Sequence, residues 1–341
     1  MINVGCVGVG GWGKNLARNY YEIPDAKLRY ICDLDEQRLQ RMLAQYPGTQ
    51  TTSRFDDMLQ DPELHAVVIA TTAPSHYELA KAALLAGKDV YVEKPLVLDV
   101  DHAEDLIALA DEHKRILMVG HLLEYHPVVN HLRDLVHAGE LGNVHYIYCQ
   151  RLNLGTVRED ENALWNFAPH DISVILYLLG KEPTDVSARG QSYLQQGIED
   201  VVFLTMNFND ESMAHVHVSW LDPHKSRKIT VVGNRKMAVF DDLESSEKLR
   251  LYDKGAQINT DYNTYAEYVA LRFGDITVPY IKMEEPLRAE CRHFLDCIRD
   301  RRQPVSDGRD GLRVIKVLEA AQQSLKNNGV PVAIGRIEEY A

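Results

Sequence analysis

Gly8-Val9-Gly10-Gly11-Trp12-Gly13 follows the apolar run Ile2-Asn3-Val4-Gly5-Cys6-Val7 and opens a helical pattern over Gly13–Tyr21. The spacing is GxGxxG, between a strand and a helix. Each glycine has a physical purpose there. One allows the tight turn, one lets backbone approach a pyrophosphate, and one lets the helix pack closely on the strand. The helix N-terminus offers unpaired N–H groups and the positive end of its dipole to phosphates. Asp33 lies twenty residues beyond Gly13, at the end of the second apolar run. A carboxylate at that place accepts hydrogen bonds from an adenosine ribose and repels a 2′-phosphate. The stretch predicts a dinucleotide-binding domain that starts almost at residue 1, with NAD favoured over NADP. Gly8, Gly10, Gly11, Trp12, Gly13 and Asp33 are its cofactor-binding candidates.

Outward from this loop, short apolar runs alternate with helical patterns as far as residue 120. Strands are predicted at Asn3–Val7, Leu28–Cys32, Ala66–Ala70, Asp89–Val92 and Ile116–Val119, and helices at Gly13–Tyr21, Leu34–Tyr46, Ser75–Ala86 and Asp101–His113. Strands interleaved with helices imply a parallel sheet covered on both faces. Gly87 stands where a helix C-cap glycine belongs, and Asp101 with Glu104 has the form of a capping box. After residue 122 the pattern changes. A helix over Val128–His137 precedes strand-like runs at Val144–Leu152, Val186–Tyr193, Val201–Phe208, Met213–Trp220, Lys228–Val232 and Met237–Phe240, interrupted by one helix at His170–Leu179. Strands separated by short turns indicate a large, mostly antiparallel sheet. Two helices close the chain. The first starts near Pro286 with Leu287, Cys291, Phe294, Leu295 and Ile298 on one face, and the second runs over Gly311–Lys326. A chain of 341 residues is long for one core. The expected division is a dinucleotide-binding domain over 1–122 and an α+β substrate-binding and oligomerisation domain over 123–341.

The chain carries 37 basic and 50 acidic residues, a net charge of −13. That balance lacks the electrostatic footprint of a nucleic-acid binder, although a small anion needs only a local patch. The five cysteines (6, 32, 149, 291 and 297) show no CxxC spacing. A reducing compartment and a cytoplasmic protein are expected. No apolar run approaches the length of a membrane helix, and no partner membrane is expected. His215 and His217 alternate on a strand and face one side. A metal there would need a third ligand, nothing nearby supplies one, and no metal is expected.

Glu93-Lys94-Pro95 ends a strand of the first domain. With the glycine loop, Ala70-Thr71-Thr72-Ala73-Pro74-Ser75-His76 and Val119-Gly120, it resembles the glucose–fructose oxidoreductase, inositol dehydrogenase and rhizopine catabolism family across essentially the whole chain. The resemblance implies a Rossmann domain joined to an α/β domain with an open sheet, through which subunits pair as a homodimer or homotetramer. It implies cofactor contacts from Thr71, Thr72, His76, Glu93 and Lys94. Many members carry Thr-Pro-Asn where this chain has Thr71-Thr72-Ala73. Further along, Arg151-Leu152-Asn153-Leu154-Gly155-Thr156-Val157-Arg158, then Asn162, Leu164-Trp165, Ala168-Pro169-His170-Asp171-Ile172, Gly274-Asp275-Ile276 and Glu285-Pro286-Leu287-Arg288-Ala289-Glu290-Cys291 are similar to the family's nucleotide-sugar 3-dehydrogenases. Those enzymes oxidise the C3 hydroxyl of UDP-N-acetylglucosamine or its uronic acid, and an aminotransferase then makes the 2,3-diamino sugar used in lipopolysaccharide or lipid A.

Oxidation of a secondary alcohol requires hydride transfer from carbon and proton removal from oxygen. The nicotinamide takes the hydride, so the chain must supply orientation and a base. The ammonium of Lys94 suits a developing alkoxide, and burial beside a cationic ring lowers a lysine's pKa. His170, expected in the first turn of its helix, has the imidazole suited to general base work. The resemblance implies an Asp four residues before that His. This chain has Asn166 there, an amide that orients a hydroxyl and cannot take its proton. The base is therefore His170 or Lys94, and Asp171 is expected to pair structurally. Arg151, Asn153 and Arg158 are candidate substrate contacts, since guanidinium groups grip diphosphate or carboxylate. His121, Tyr125 and Trp165 are further candidates for lining the substrate pocket. A dehydrogenase of a free sugar or polyol, and a non-catalytic NAD-binding regulator, are the alternatives.

Overall fold

The computed structural model describes residues 1–258 and 269–335. The chain divides into two compact units, one made of Met1–Tyr125 and Glu284–Lys316, the other of His126–Met283 and the segment from Val317.

In the first unit, β1 (Ile2–Val7), β2 (Ala26–Cys32), β3 (Gln50–Thr52), β4 (Ala66–Ile69), β5 (Asp89–Glu93) and β6 (Leu117–Gly120) form one sheet in the order β3-β2-β1-β4-β5-β6. Every pairing is parallel. Between the strands run α1 (Gly13–Glu22), α2 (Glu36–Gln45), α3 (Phe55–Leu59), α4 (His76–Leu85) and α5 (Val100–Glu112). This is the doubly wound order, and its direction reverses between β1 and β4, where such sheets bind ligands beyond the strand C-termini. β4 and β5 are buried at every residue, which is why β4 is an unbroken apolar run and β5 holds Val90-Tyr91-Val92 between its two terminal acids, in place of an alternation. The short polar edge strand β3 and the single-turn helix α3 carry no such pattern, and the sequence did not predict them. The cap of α5 is Asp99, whose side chain accepts from the His102 N–H, and not the expected Asp101. Asp99 is the residue with extended backbone, the geometry an N-cap requires.

The second unit begins with α6 (Pro127–His137). Its sheet comprises β7 (Val144–Leu152), β8 (Asp185–Gln191), β9 (Val201–Asn207), β10 (Met213–Ser219), β11 (Ser226–Gly233), β12 (Met237–Asp241), β13 (Leu249–Ile258), β14 (Val269–Thr277) and β15 (Val332–Ala333). The order among the described residues is β14-β13-β12-β11-β7-β10-β9-β8-β15. Neighbours are antiparallel except β7 and β10, which run parallel. The long pair β13 and β14 lies beyond the strands that the sequence predicted. α7 (Ala163–Leu179) packs against β7, β9 and β10. Ile147, Cys149, Val216, Val218, Ile229 and Val231 bury one face of the sheet. On the other face Tyr148, His215, Phe203 and His217 form a run of stacked rings, so His215 and His217 point away from α7.

α7 starts seven residues before the predicted His170. Asn162 caps it through a side-chain acceptor for the Trp165 N–H, and Pro169 lies inside it. The proline invites an early boundary, because it removes one intrahelical donor. His170 therefore sits in mid-helix rather than in the first turn.

α8 (Pro286–Asp300) and α9 (Gly308–Lys326) close the description. The apolar stripe of α8 is as predicted, and Leu287, Cys291, Phe294, Leu295 and Ile298 enter the core of the first unit with Leu16, Tyr20, Val68 and Tyr91. Phe294 meets Tyr91 edge-on at 5.9 Å between ring centroids. Residues 284–316 thus group with the N-terminal unit although they are distant from it in sequence.

Candidate active site

The glycine loop is built as its spacing demands. Gly8 has φ +80°, and a Cβ on it would lie 2.8 Å from the Ala70 carbonyl oxygen. A Cβ on Gly13 would lie 1.8 Å from the Gly8 carbonyl oxygen. Those two positions are closed by the protein itself. Gly10 and Gly11 differ, since a Cβ on Gly11 meets nothing within 4 Å and one on Gly10 meets only the Arg38 guanidinium at 3.6 Å. Their space is open, as the approach of a pyrophosphate requires. At the start of α1, Trp12 provides no side-chain cap and the first turn has no acid, so neither competes with phosphate for the free N–H groups. Asp33 braces the loop, its Oδ2 accepting from the Val9 N–H at 2.8 Å and its Oδ1 from the Asp35 N–H at 2.9 Å. Arg38 stands 3.6 Å from Asp33, a neighbour the sequence reading overlooked. The residues present fit a bound NAD.

The two other predicted cofactor segments are tied to each other and to this loop. Trp12 donates from its indole nitrogen to Glu93 Oε1 at 2.6 Å, joining the loop to the end of β5. Glu93 also accepts from the Tyr91 hydroxyl and the Lys94 N–H. Its burial pushes its carboxyl above the usual range, opposed by the Trp12 donor and the Lys94 charge. The Lys94–Pro95 peptide is cis. His76 is buried, with Nδ1 2.8 Å from the Pro95 carbonyl oxygen and Nε2 3.3 Å from that of Thr71. It bridges the Thr71-Thr72 turn to the segment after Lys94, and its pKa is lowered, chiefly by burial. The Thr71 hydroxyl accepts from Ser75.

In the second unit, α7 carries the predicted catalytic pair one turn apart. The Asn166 amide is held in place, donating to Glu161 Oε1 at 2.5 Å and accepting from the Trp220 indole at 3.3 Å. Asp171, one residue past His170, is buried and takes Arg151 in a two-point ion pair, Nε to Oδ2 at 2.8 Å and Nη2 to Oδ1 at 3.0 Å. Arg151 is thus engaged by an internal carboxylate and is not an open anion-binding fork. Arg158 is half exposed and pairs with Glu161 at 3.1 Å. The side-chain oxygen of Asn153 accepts from Arg227, a residue that the sequence reading passed over.

Three candidate pocket residues turn inward. Trp165 donates to Gln322 at 3.1 Å. Tyr125 is buried against Ser306, 2.9 Å between hydroxyls. His121 is 2% exposed, with Nδ1 2.6 Å from Asp310 and 3.3 Å from Glu124. Burial works against a charge on His121, but the two carboxylates outweigh it and raise its pKa to about 10. Among the described residues, His121, Glu124 and Asp310 form the one cluster whose ligand atoms converge as for a metal. The imidazolium and Arg313, which also pairs with Asp310, supply the positive charge there.

A doubly wound sheet with this loop, carboxylate and helix N-terminus defines an NAD-binding protein of the oxidoreductase class. Residues 2–121 match the oxidoreductase family with an NAD-binding Rossmann fold, and residues 129–239 match the C-terminal domain of the same GFO/IDH/MocA group. The chain belongs to the GFO/IDH/MocA oxidoreductase family. It is 29% identical to UDP-N-acetylglucosamine 3-dehydrogenase of Acidithiobacillus ferrooxidans over 315 residues, spanning 92% of this chain and 94% of that protein. A solved structure of that enzyme superposes with a TM-score of 0.81 at 27% identity, over 96% of this chain and 98% of the other. Similarity also extends to the NAD(+)-dependent scyllo-inositol 2-dehydrogenase of Bacillus subtilis, 23% identical over 98% of this chain and 96% of that protein. No helix among the described residues is long and apolar enough to cross a membrane.

Proposed function

We propose that the protein oxidises the C3 hydroxyl of a UDP-N-acetylhexosamine, UDP-N-acetylglucosamine or its uronic acid, to the 3-keto sugar. The observation that carries this reading is Asn166, an amide fixed between Glu161 and Trp220, one turn before His170 where the family resemblance implies a carboxylate. Similarity to a UDP-N-acetylglucosamine 3-dehydrogenase over nearly the whole chain supports it. NAD, when bound, supplies the hydride acceptor. Lys94 holds the reacting oxygen and stabilises its developing charge, and His170 takes the hydroxyl proton. Trp12 and Glu93 hold the glycine loop to the Lys94 segment, which keeps the lysine in register with the cofactor. The open sheet face bearing Tyr148, Phe203, His215 and His217 is, in this proposal, where a second copy packs. The likeness to scyllo-inositol 2-dehydrogenase supports a second reading, a polyol as substrate.

The test is NADH formation from NAD with UDP-N-acetylglucosamine, its uronic acid, myo-inositol, scyllo-inositol and glucose, each with an aminotransferase or ketone trap to pull the equilibrium. Turnover of a UDP-sugar with none of the free sugars is expected. Turnover of inositol or glucose without any UDP-sugar would overturn the proposal in favour of the second reading.

A further inference from the structure

Two arginines sit side by side on the α7 face of the second sheet, because β7 and β11 pair Arg151 directly opposite Arg227. On α7, Phe167, His170 and Asp171 are spaced i, i+3 and i+4, so they share one helix face. The outer two each engage an arginine. Asp171 takes Arg151. The Phe167 ring lies 5.2 Å under the Arg227 guanidinium. His170 is between them in sequence and on the same face.

The arginines differ in what neutralises them. Arg151 has a carboxylate. Among the described residues, the hydrogen-bond partners of Arg227 are all neutral. Nη1 donates to the carbonyl oxygens of Leu152 at 2.9 Å and Ser226 at 2.7 Å, and Nη2 donates to Asn153 Oδ1 at 2.6 Å. Asp242, whose backbone N–H donates to the Arg227 carbonyl, has its carboxylate beside Lys248 and His126. Arg151 therefore has a directly bonded anion, whereas Asp171 and Asp242 act on Arg227 only through space. At Arg227 burial first and the Arg151 charge second outweigh the charges of Asp171 and Asp242 and push the guanidinium down to about 10. A half-buried cation with only neutral partners is costly, and a bound anion removes that cost. Carbonyls and Asn153 fix the guanidinium's direction, and the Phe167 ring supports its plane.

We propose that Arg227, oriented by Asn153 and Phe167, binds the anionic group of the substrate, a diphosphate or a sugar carboxylate, while Arg151 and Asp171 act only to position this face of α7. The inference rests on the nucleotide-sugar reading above and assigns its recognition element.

The experiment titrates UDP, and separately glucuronate, into the NADH-loaded enzyme by calorimetry, for wild type, Arg227→Gln and Arg227→Lys. Wild type is expected to bind at least one of the two anions. Arg227→Gln should weaken that anion by about tenfold or more, with NADH affinity unchanged. Weakening of UDP identifies the diphosphate, and weakening of glucuronate alone identifies the carboxylate. Should Arg227→Gln fail to hold NADH, Arg227→Lys provides the comparison, since a lysine keeps the charge without the planar fork. Equal affinities in wild type and variant, or no binding of either anion to wild type, overturn the inference. Failure of the nucleotide-sugar reading is separate. A protein whose Arg227 binds UDP but which oxidises only free sugars loses that reading and keeps the anion site. UDP-sugar turnover with an unchanged KM in Arg227→Gln keeps the reading and removes the site.

Discussion

Asp171 grips Arg151 through both carboxylate oxygens, at 2.8 and 3.0 Å, with 1% and 12% of the respective side chains exposed. The pair fixes α7 to β7 beside His170. Removing one partner from a buried pair leaves an uncompensated charge, at a cost of about 3–5 kcal/mol. Asp171→Ala should lose about that much stability in urea unfolding, and Arg151→Met combined with Asp171→Leu should recover most of it. An Asp171→Ala protein as stable as wild type would mean that the pair contributes little.

Lys94→Ala should lower kcat by about 10²–10⁴, the usual worth of a group that handles a proton or its charge, while NAD still binds by fluorescence titration. His170→Ala should fall within the same range, and should also remove the acidic limb of the kcat/KM profile if the imidazole is the base. Loss of that limb in Lys94→Ala instead would transfer the base role to the lysine.

Most of this was legible where chemistry and periodicity coincide. The glycine loop, Asp33 and the strand–helix alternation follow from packing rules that act over a few residues, so the first sheet could be read from the chain. The destination of Pro286–Asp300 could not, because an apolar stripe states that a helix face is buried and not against what. Arg227 was readable. In Ser226-Arg227-Lys228-Ile229-Thr230-Val231 the inward Ile229 and Val231 place Arg227 on the same face by alternation. Starting the strand at Lys228 hid it. The engagement of Arg151 by Asp171 needed the third dimension, because twenty residues and a loop separate them. The place of His121 and Tyr125 after β6 predicts pocket residues. Their partners, Asp310 and Ser306, come from a segment that the sequence reading assigned to the other domain.

Gly13→Ala should abolish NAD binding, because its Cβ would fall 1.8 Å from the Gly8 carbonyl oxygen and the loop would have to move. Gly11→Ala, with open space around its Cβ, should fold with wild-type stability. Thermal shift with and without NAD distinguishes them. Equal cofactor stabilisation of Gly13→Ala and wild type would contradict the close helix–loop approach.

Asp33→Ala removes the acceptor for the Val9 N–H as well as the carboxylate proposed to accept from an adenosine ribose. It should weaken NAD binding and narrow the preference for NAD over NADP, the more so because Arg38, 3.6 Å from Asp33, would keep only its 3.1 Å pairing with Asp35 and could turn its Nη1 end to a 2′-phosphate. The ratio of kcat/KM for the two cofactors measures this, and an unchanged ratio would assign the preference to another residue.

The buried cluster at His121 makes stability depend on pH in the alkaline range. The His121 imidazole is raised from 6.5 to about 10 despite its burial, through hydrogen bonding to Asp310 and Glu124. Glu124 is raised from 4.5 to about 8, first by burial and then by the Asp310 charge. Both groups hold protons more tightly in the folded protein than in the unfolded chain, so stability falls as pH rises between their unfolded and folded values. The Glu124 contribution is spent by about pH 8, and that of His121 is full below about 6.5 and gone once pH passes about 10. Asp310 is shifted the other way and loses its contribution only in acid. The melting temperature should therefore decline from pH 7 to pH 10. His121→Asn should start lower at pH 7, because it leaves Asp310 and Glu124 without the imidazolium, and decline less over the same range. Parallel declines in the two proteins would show that His121 is not the group that titrates.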